Sequence, residues 1–290
     1  MDRVESQRYA FGGRDYDLDS RTHVMGVLNV TPDSFSDGGR YITADAAVAR
    51  ALALADEGAD FIDVGGESTR PKGTAYGEGA DPVGVEEELR RVIPVVEQIV
   101  RRTDVPVSID TYKSSVARAA LAAGAVIVND ISGFTFDPRM PAVVAAAGAS
   151  AVVMHIRGTP KTMQSHPVYA DLFGEIASFL SQALATGRNA GIRQMFADPG
   201  IGFGKTTADN YRLLAGLGRL CSLGAPLLVG PSRKAFLSEN GLLLPGERLE
   251  GTLAAVTAAA LNGARVVRVH DVRAARRAVR VADELRRSRS

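Results

Sequence analysis

Two kinds of segment alternate along the chain. Short apolar runs rich in Val, Ile and Leu recur every 20 to 40 residues, each followed by an Ala-rich stretch with apolar positions at helical spacing. The runs predict strands at 24–29, 61–65, 107–110, 126–130, 151–155, 195–198, 227–230 and 266–270. The stretches predict helices at 44–57, 85–101, 113–123, 139–147, 172–190, 207–217, 250–262 and 272–287. Most strand runs are continuously apolar, as expected of parallel strands buried on both faces.

Strict strand–helix alternation builds either a doubly wound sheet or a barrel. The count of eight favours the barrel, and the polar residues favour it more. Asn29, Glu67, Asp110, Asn129, His155, Asp198, Ser232 and His270 each stand at or just past the end of one strand. In a barrel those ends converge on one mouth. In an open sheet they spread along a line, and only those at a switch point share a ligand. The expected fold is therefore α/β, a single (β/α)₈ TIM barrel. One domain spans 1–290, with the barrel proper at about 22–288. Phe11-Gly12-Gly13-Arg14 reads as a hairpin turn, and a short N-terminal hairpin is expected to close the bottom.

Composition narrows the classes. The apolar fraction of 46% and charged fraction of 23% are those of an ordinary globular protein. A formal net charge of +1 gives no global field for nucleic acid or membrane, so any anionic ligand must be held locally. No nucleic-acid or membrane partner is expected: no basic patch interleaves with aromatics, and no run of about 18 apolar residues exists. Cys221 is the only cysteine, which excludes an internal disulfide and fits a cytoplasmic location. The first residues, MDRVESQRYA, lack the apolar stretch of a signal peptide.

Several familiar patterns fail on spacing. Gly200-Ile-Gly-Phe-Gly-Lys-Thr206 resembles a phosphate loop, but Pro199 occupies the first glycine position of the Walker pattern. Its glycines at 200, 202 and 204 also miss the dinucleotide fingerprint. The four histidines lack zinc spacing.

Two sets of residues carry chemistry. Ser68-Thr69-Arg70, Ser232-Arg233-Lys234 and Arg268-Val269-His270 offer cations or anion donors at the mouth. Such barrels commonly hold phosphate after strands seven and eight. A diphosphate usually brings Mg²⁺, which prefers oxygen ligands and keeps several waters, and Asn29 is the expected protein ligand. The alternative is that Arg70 and Arg268 pair with Glu67 or Asp271. The second set is Asp110, Asn129, Asp198 and Lys234. A carboxylate binds an amino group beside a ring N–H in bidentate fashion, Asn129 offers both donor and acceptor, and Lys234 covers a ring carbonyl. Ile131 and Met154 are placed to pack on the ring faces. The set reads as a slot for a polar planar ring such as a pterin, without deciding against purine or pyrimidine. The alternative here is an Asp–Lys ion network that fixes the core.

With those residues in view, the sequence resembles the dihydropteroate synthase family. The matching segments are MGVLNVTPDSFSDGG (25–39), DVGGESTRP (63–71), SIDT (108–111), VNDI (128–131), MHIRGTPKTMQ (154–164), DPGIGFGKT (198–206), VGPSRKAF (229–236) and RVHDV (268–272). They cover the barrel in order. The resemblance implies a transferase that joins 6-hydroxymethyl-7,8-dihydropterin diphosphate to p-aminobenzoate, releasing diphosphate and 7,8-dihydropteroate. It implies that Asp110, Asn129, Asp198 and Lys234 hold the pterin. Asn29, Arg70, Arg268 and His270 would hold the diphosphate, with Mg²⁺ near Asn29. Thr69, Arg70, Pro71, Phe203 and Ser232 would line the p-aminobenzoate site, with Phe35 and Asp37 from the first loop. Arg70, Lys234, Arg268 and His270 form the expected catalytic set. Loops at about 30–40 and 66–80 would close over the substrates, and a homodimer would form through the last helices. Lys72 replaces the glycine usual after ESTRP, and the loop that follows is longer than in many relatives. The competing functions are a non-catalytic pterin-binding paralogue and a pterin-dependent methyltransferase. The methyltransferases share the pterin acids but not the TPDSFSDGG and ESTRP loops or the SRK segment.

Overall fold

The computed structural model describes residues 8–31, 44–68, 82–165 and 167–289. Its first element is a hairpin of β1 (Arg8–Phe11) and β2 (Arg14–Asp17), with Phe11 paired to Arg14. Gly12 and Gly13 take φ of 56° and 80°, the left-handed pair that a two-residue hairpin turn demands.

Eight parallel strands follow: β3 (His23–Asn29), β4 (Phe61–Gly65), β5 (Val107–Asp110), β6 (Ile127–Asp130), β7 (Ser150–Met154), β8 (Met195–Asp198), β9 (Leu227–Val229) and β10 (Ala264–Val269). They close in the order β10-β3-β4-β5-β6-β7-β8-β9, the expected barrel. The outer ring is α1 (Ala44–Asp56), α2 (Val85–Arg102), α3 (Ser114–Ala122), α4 (Met140–Ala146), α5 (Leu172–Ala190), α6 (Thr207–Ala215), α7 (Leu249–Leu261) and α8 (Val272–Arg287). Predicted boundaries shift by a residue or two. β7 and β10 stop at Met154 and Val269, so His155 and His270 stand just beyond their strands. The sixth helix ends at Ala215 rather than 217, and a 3₁₀ segment over Leu217–Leu223 continues the chain. Among the described residues, no helix is long and apolar enough to cross a membrane.

Side chains alternate across the barrel wall with period two. Val24, Ile62, Val128, Val153, Ala197 and Val267 face the helices in one large apolar layer. Met25, Phe61, Ile127, Val152, Phe196, Leu228 and Val266 face inward and form the barrel floor with Phe11 and Leu18. Phe11 meets Phe61 edge-on at 5.1 Å and stacks on Phe196 at 6.0 Å. The hydroxyl of Tyr9 donates to the Met195 carbonyl at 2.8 Å. The hairpin therefore does close the bottom.

Candidate active site at the barrel mouth

The inward positions two residues beyond the floor are no longer all apolar. Phe61 is followed by Asp63, Ser108 by Asp110, Ile127 by Asn129, Val152 by Met154, Phe196 by Asp198 and Val266 by Arg268. The strand repeat thus aims four carboxylate or amide side chains and one guanidinium into a shared space, ringed by the loops that leave the strands.

Hydrogen bonds join four of these side chains across the barrel. Nε of Arg268 donates to Oδ2 of Asp63 and Nη2 donates to Oδ2 of Asp110, both at 2.6 Å. Nδ2 of Asn129 donates to the same Asp63 oxygen at 2.9 Å. Asp63 is completely buried, whereas the Asp110 side chain keeps 15% exposure towards the mouth. Burial raises the Asp110 carboxyl above the usual range. Arg268 opposes that shift, and Asp63 reinforces it. Arg268 is held as a cation, because the two carboxylates outweigh the effect of its burial.

On the opposite wall, Asp198 accepts the Gly200 N–H at 2.7 Å. Burial raises its pKa, opposed mainly by Lys234. The Lys234 ammonium donates to the Ile201 carbonyl and lies 4.6 Å from the centre of the Phe203 ring. Burial lowers it to about 8, opposed mainly by Asp198. Ile131, Met154 and Phe203 share an apolar cluster with Ile156, Met163, Tyr112 and Phe136, so flat apolar surface adjoins the acids.

Ser232 and His270 close the third side. The His270 backbone N–H donates to Ser232 Oγ at 3.2 Å, and that oxygen lies 3.0 Å from His270 Nδ1. Because the backbone is the donor in the first contact, the hydroxyl proton is free to go to Nδ1. In the tautomer with its proton on Nε2, the ring accepts that hydroxyl proton at Nδ1 and turns an N–H outward. Burial pushes His270 down to about 3, helped by Arg233 and Arg268, which favours the neutral ring. Asn29 ends β3, half-buried, between the strands of Arg268 and Asp63.

Several expectations need correction. Arg268 pairs with Asp63 and Asp110, not with Asp271. Asp271 instead takes Nε and Nη2 of Arg233 at 3.0 and 2.6 Å, so Arg233 already has a carboxylate partner. Glu67 binds Lys113 and the Tyr112 hydroxyl. No direct Asp198–Lys234 salt bridge forms among the described residues, since Lys234 donates to a carbonyl instead. Phe35, Asp37, Thr69, Arg70 and Pro71, with residues 32–40 and 69–80 of the two closing loops, lie outside the described residues.

Sequence reasoning missed two residues. Asp63 sits inside an apolar strand rather than at its end. Its signal was the period-two step from Phe61. Lys205 belongs to the rejected phosphate-loop look-alike. Its buried amine lies 2.9 Å from His155 Nδ1 and donates to the Phe203 carbonyl at 3.0 Å. Burial holds that amine well below its ordinary pKa. Gly200 makes the tight approach possible, because a Cβ there would lie 1.9 Å from the His155 carbonyl oxygen. No feature of the sequence points that lysine inward.

Acids, one bridging arginine and an apolar cluster gathered at one barrel mouth fit a polar planar ring carrying an anionic group. The comparisons agree. The family model described as pterin binding enzyme matches residues 25–270. A dihydropteroate synthase of Synechocystis sp. is 48% identical over 276 residues, covering 93% of this chain and 92% of its own. The Xanthomonas albilineans dihydropteroate synthase, solved with 4-aminobenzoic acid, superposes with a TM-score of 0.87 at 47% identity, covering 97% of this chain and 98% of that one. The same organism's enzyme in complex with 7,8-dihydropteroate gives 0.84 at 45% identity, covering 96% and 98%. The chain belongs to the pterin-binding enzyme family and, within it, to the dihydropteroate synthases, transferases of folate biosynthesis.

Proposed function

We propose that the mouth binds 6-hydroxymethyl-7,8-dihydropterin diphosphate and p-aminobenzoate and joins them through the residues described above. The observation that carries this reading is Arg268 bridging two inward carboxylates beside Asn129. It brings ring-binding acids and an anion-binding cation together at one barrel mouth.

Asp198 holds the amino group and ring N–H of the pterin edge, and Lys234 covers the ring carbonyl. Asn129 adds a donor and an acceptor. Asp110 takes a ring N–H once the ring displaces Nη2 of Arg268. Ile131 and Met154 pack on the ring faces. Arg268, the Nε2–H of His270 and Arg70 receive the diphosphate. Phe203 and Ser232 line the p-aminobenzoate side with Thr69 and Pro71, and Phe35 and Asp37 reach it from the first loop.

In the reaction the bond between the pterin methylene carbon and the diphosphate oxygen breaks. A bond from that carbon to the aniline nitrogen forms, and the nitrogen passes a proton to water or to the departing diphosphate. The electron-rich ring stabilises positive charge on the carbon as diphosphate leaves. The protein's part is to neutralise the leaving anion and hold the amine in line. A neutral aniline is already nucleophilic, so a strong base is unnecessary.

Asn29, half-buried at the end of β3, would offer its side-chain oxygen to a Mg²⁺ ion. Among the described residues, no group of three His, Cys, Asp or Glu side chains forms a cage of its own. When bound, the ion adds positive charge to the leaving group.

The decisive assay combines purified protein, dihydropterin diphosphate, p-aminobenzoate and Mg²⁺. Stoichiometric diphosphate and 7,8-dihydropteroate are expected, and their absence overturns the assignment. The protein acts in the cytoplasm as a homodimer through its last helices. Val281 and Leu285 of α8, 60% and 48% exposed one turn apart, supply apolar surface for that contact. A Val281→Glu, Leu285→Glu double variant is expected to sediment as a monomer.

A further inference from the structure

We propose that Asp63 is a positioning residue that sets the amide polarity of Asn129 and, by holding Nε of Arg268, limits how tightly that guanidinium grips Asp110. It thereby decides which atoms the mouth presents to a pterin ring. The proposal rests on the function proposed above and extends it to a residue inside the barrel wall.

An ionised carboxylate only accepts hydrogen bonds. With Asp63 opposite, Asn129 must turn its nitrogen inward, as the 2.9 Å contact shows. That leaves the Asn129 oxygen and one N–H for a ligand, a fixed acceptor–donor pair. The same Asp63 oxygen takes Nε of Arg268. Arg268 therefore pivots on a buried anchor, while its Nη2 reaches the exposed Asp110. When a ring claims Asp110, the guanidinium stays fixed by Nε and offers its Nη atoms to the departing anion.

Stability alone does not account for Asp63. Its Oδ1 is buried with no partner among the described residues, an arrangement that costs free energy. Apolar replacement of buried ion pairs is often neutral or stabilising. Asp63 also occupies the layer directly above Phe61, where an apolar residue would continue the floor.

The test is Asp63→Asn, which keeps the shape and one acceptor oxygen but removes the charge. Arg268 then has only Asp110 as a carboxylate partner and holds it more tightly. Calorimetry with 6-hydroxymethylpterin is expected to show affinity weakened about tenfold, while affinity for inorganic diphosphate is unchanged or stronger. The acid limb of the pterin-binding pH profile should move to lower pH, because Asp63 is one of the charges that raise Asp110. The other groups facing Asp110 (Arg268, Glu88, Asp130 and Lys234) are unaltered in the variant. A purely structural role predicts that both affinities fall together with no movement of the limb, and that result overturns the proposal. Unchanged affinities overturn it equally. Should Asp63→Asn fail to fold, Asp63→Ser, with room for a bridging water, carries the same comparison. Failure of the wild-type protein to bind the pterin at all would overturn the proposed function instead.

Discussion

The floor and the mouth of the barrel are built by the same strands, two residues apart, and their chemistry is opposite. At the floor, Phe61, Ile127, Phe196 and Val266 pack with Phe11 into a dry layer. One step further along the same strands stand Asp63, Asn129, Asp198 and Arg268. Burial of the first layer stabilises the fold by roughly 1.5–3 kcal/mol per large side chain. Burial of the second opposes folding, and internal pairing only partly offsets it. The difference separates the residues that hold the barrel shut from those kept for a ligand.

Substitutions at the two levels test that division. The largest effect is expected from Arg268→Ala, which lowers kcat/KM roughly 10³-fold by removing the leaving-group cation. It also leaves Asp63 buried without its partner, so urea denaturation should show a loss of about 3–5 kcal/mol. Wild-type stability in this variant would mean that the mouth does not depend on internal pairing. Phe61→Ala at the floor should cost about 3–5 kcal/mol in the same denaturation assay, with kcat/KM of the folded protein retained. Lost activity at full stability would show that the two levels are not separable.

Asp198→Asn is expected to weaken pterin binding by about 2–3 kcal/mol, since it puts an amide where the ring needs an acceptor. Calorimetry giving wild-type affinity would remove Asp198 from the pocket. The smallest effect concerns pH. The Lys234 ammonium is present below about 8 and lost above it. Accordingly kcat/KM for the dihydropterin diphosphate should fall as pH rises through that value. Lys234→Arg, whose guanidinium stays charged, should retain part of the activity and move the limb up by more than about one unit. A limb that stays in place belongs to another group.

The barrel was legible in the sequence because buried parallel strands read as unbroken apolar runs, and its polar strand ends named most of the mouth. Asp63 escaped because a carboxylate inside Phe61–Gly65 looks like an interruption of the run, and its partner Arg268 lies 205 residues away. Arg233 and Lys234 are adjacent in sequence, yet one turns to Asp271 and the other to Ile201. The turn that divides them has Arg233 at φ 59°, a conformation no spacing rule predicts. Lys205 carries the look of a phosphate-loop lysine, and only three-dimensional packing against His155 reveals it as internal.

The N-terminal hairpin has a practical consequence for anyone shortening this chain. Trimming it away would spare every group at the catalytic end while baring the rings of Phe61 and Phe196 to water. A truncated protein would then be a catalyst with a wet underside, prone to sticking to its own copies at temperatures the intact chain tolerates.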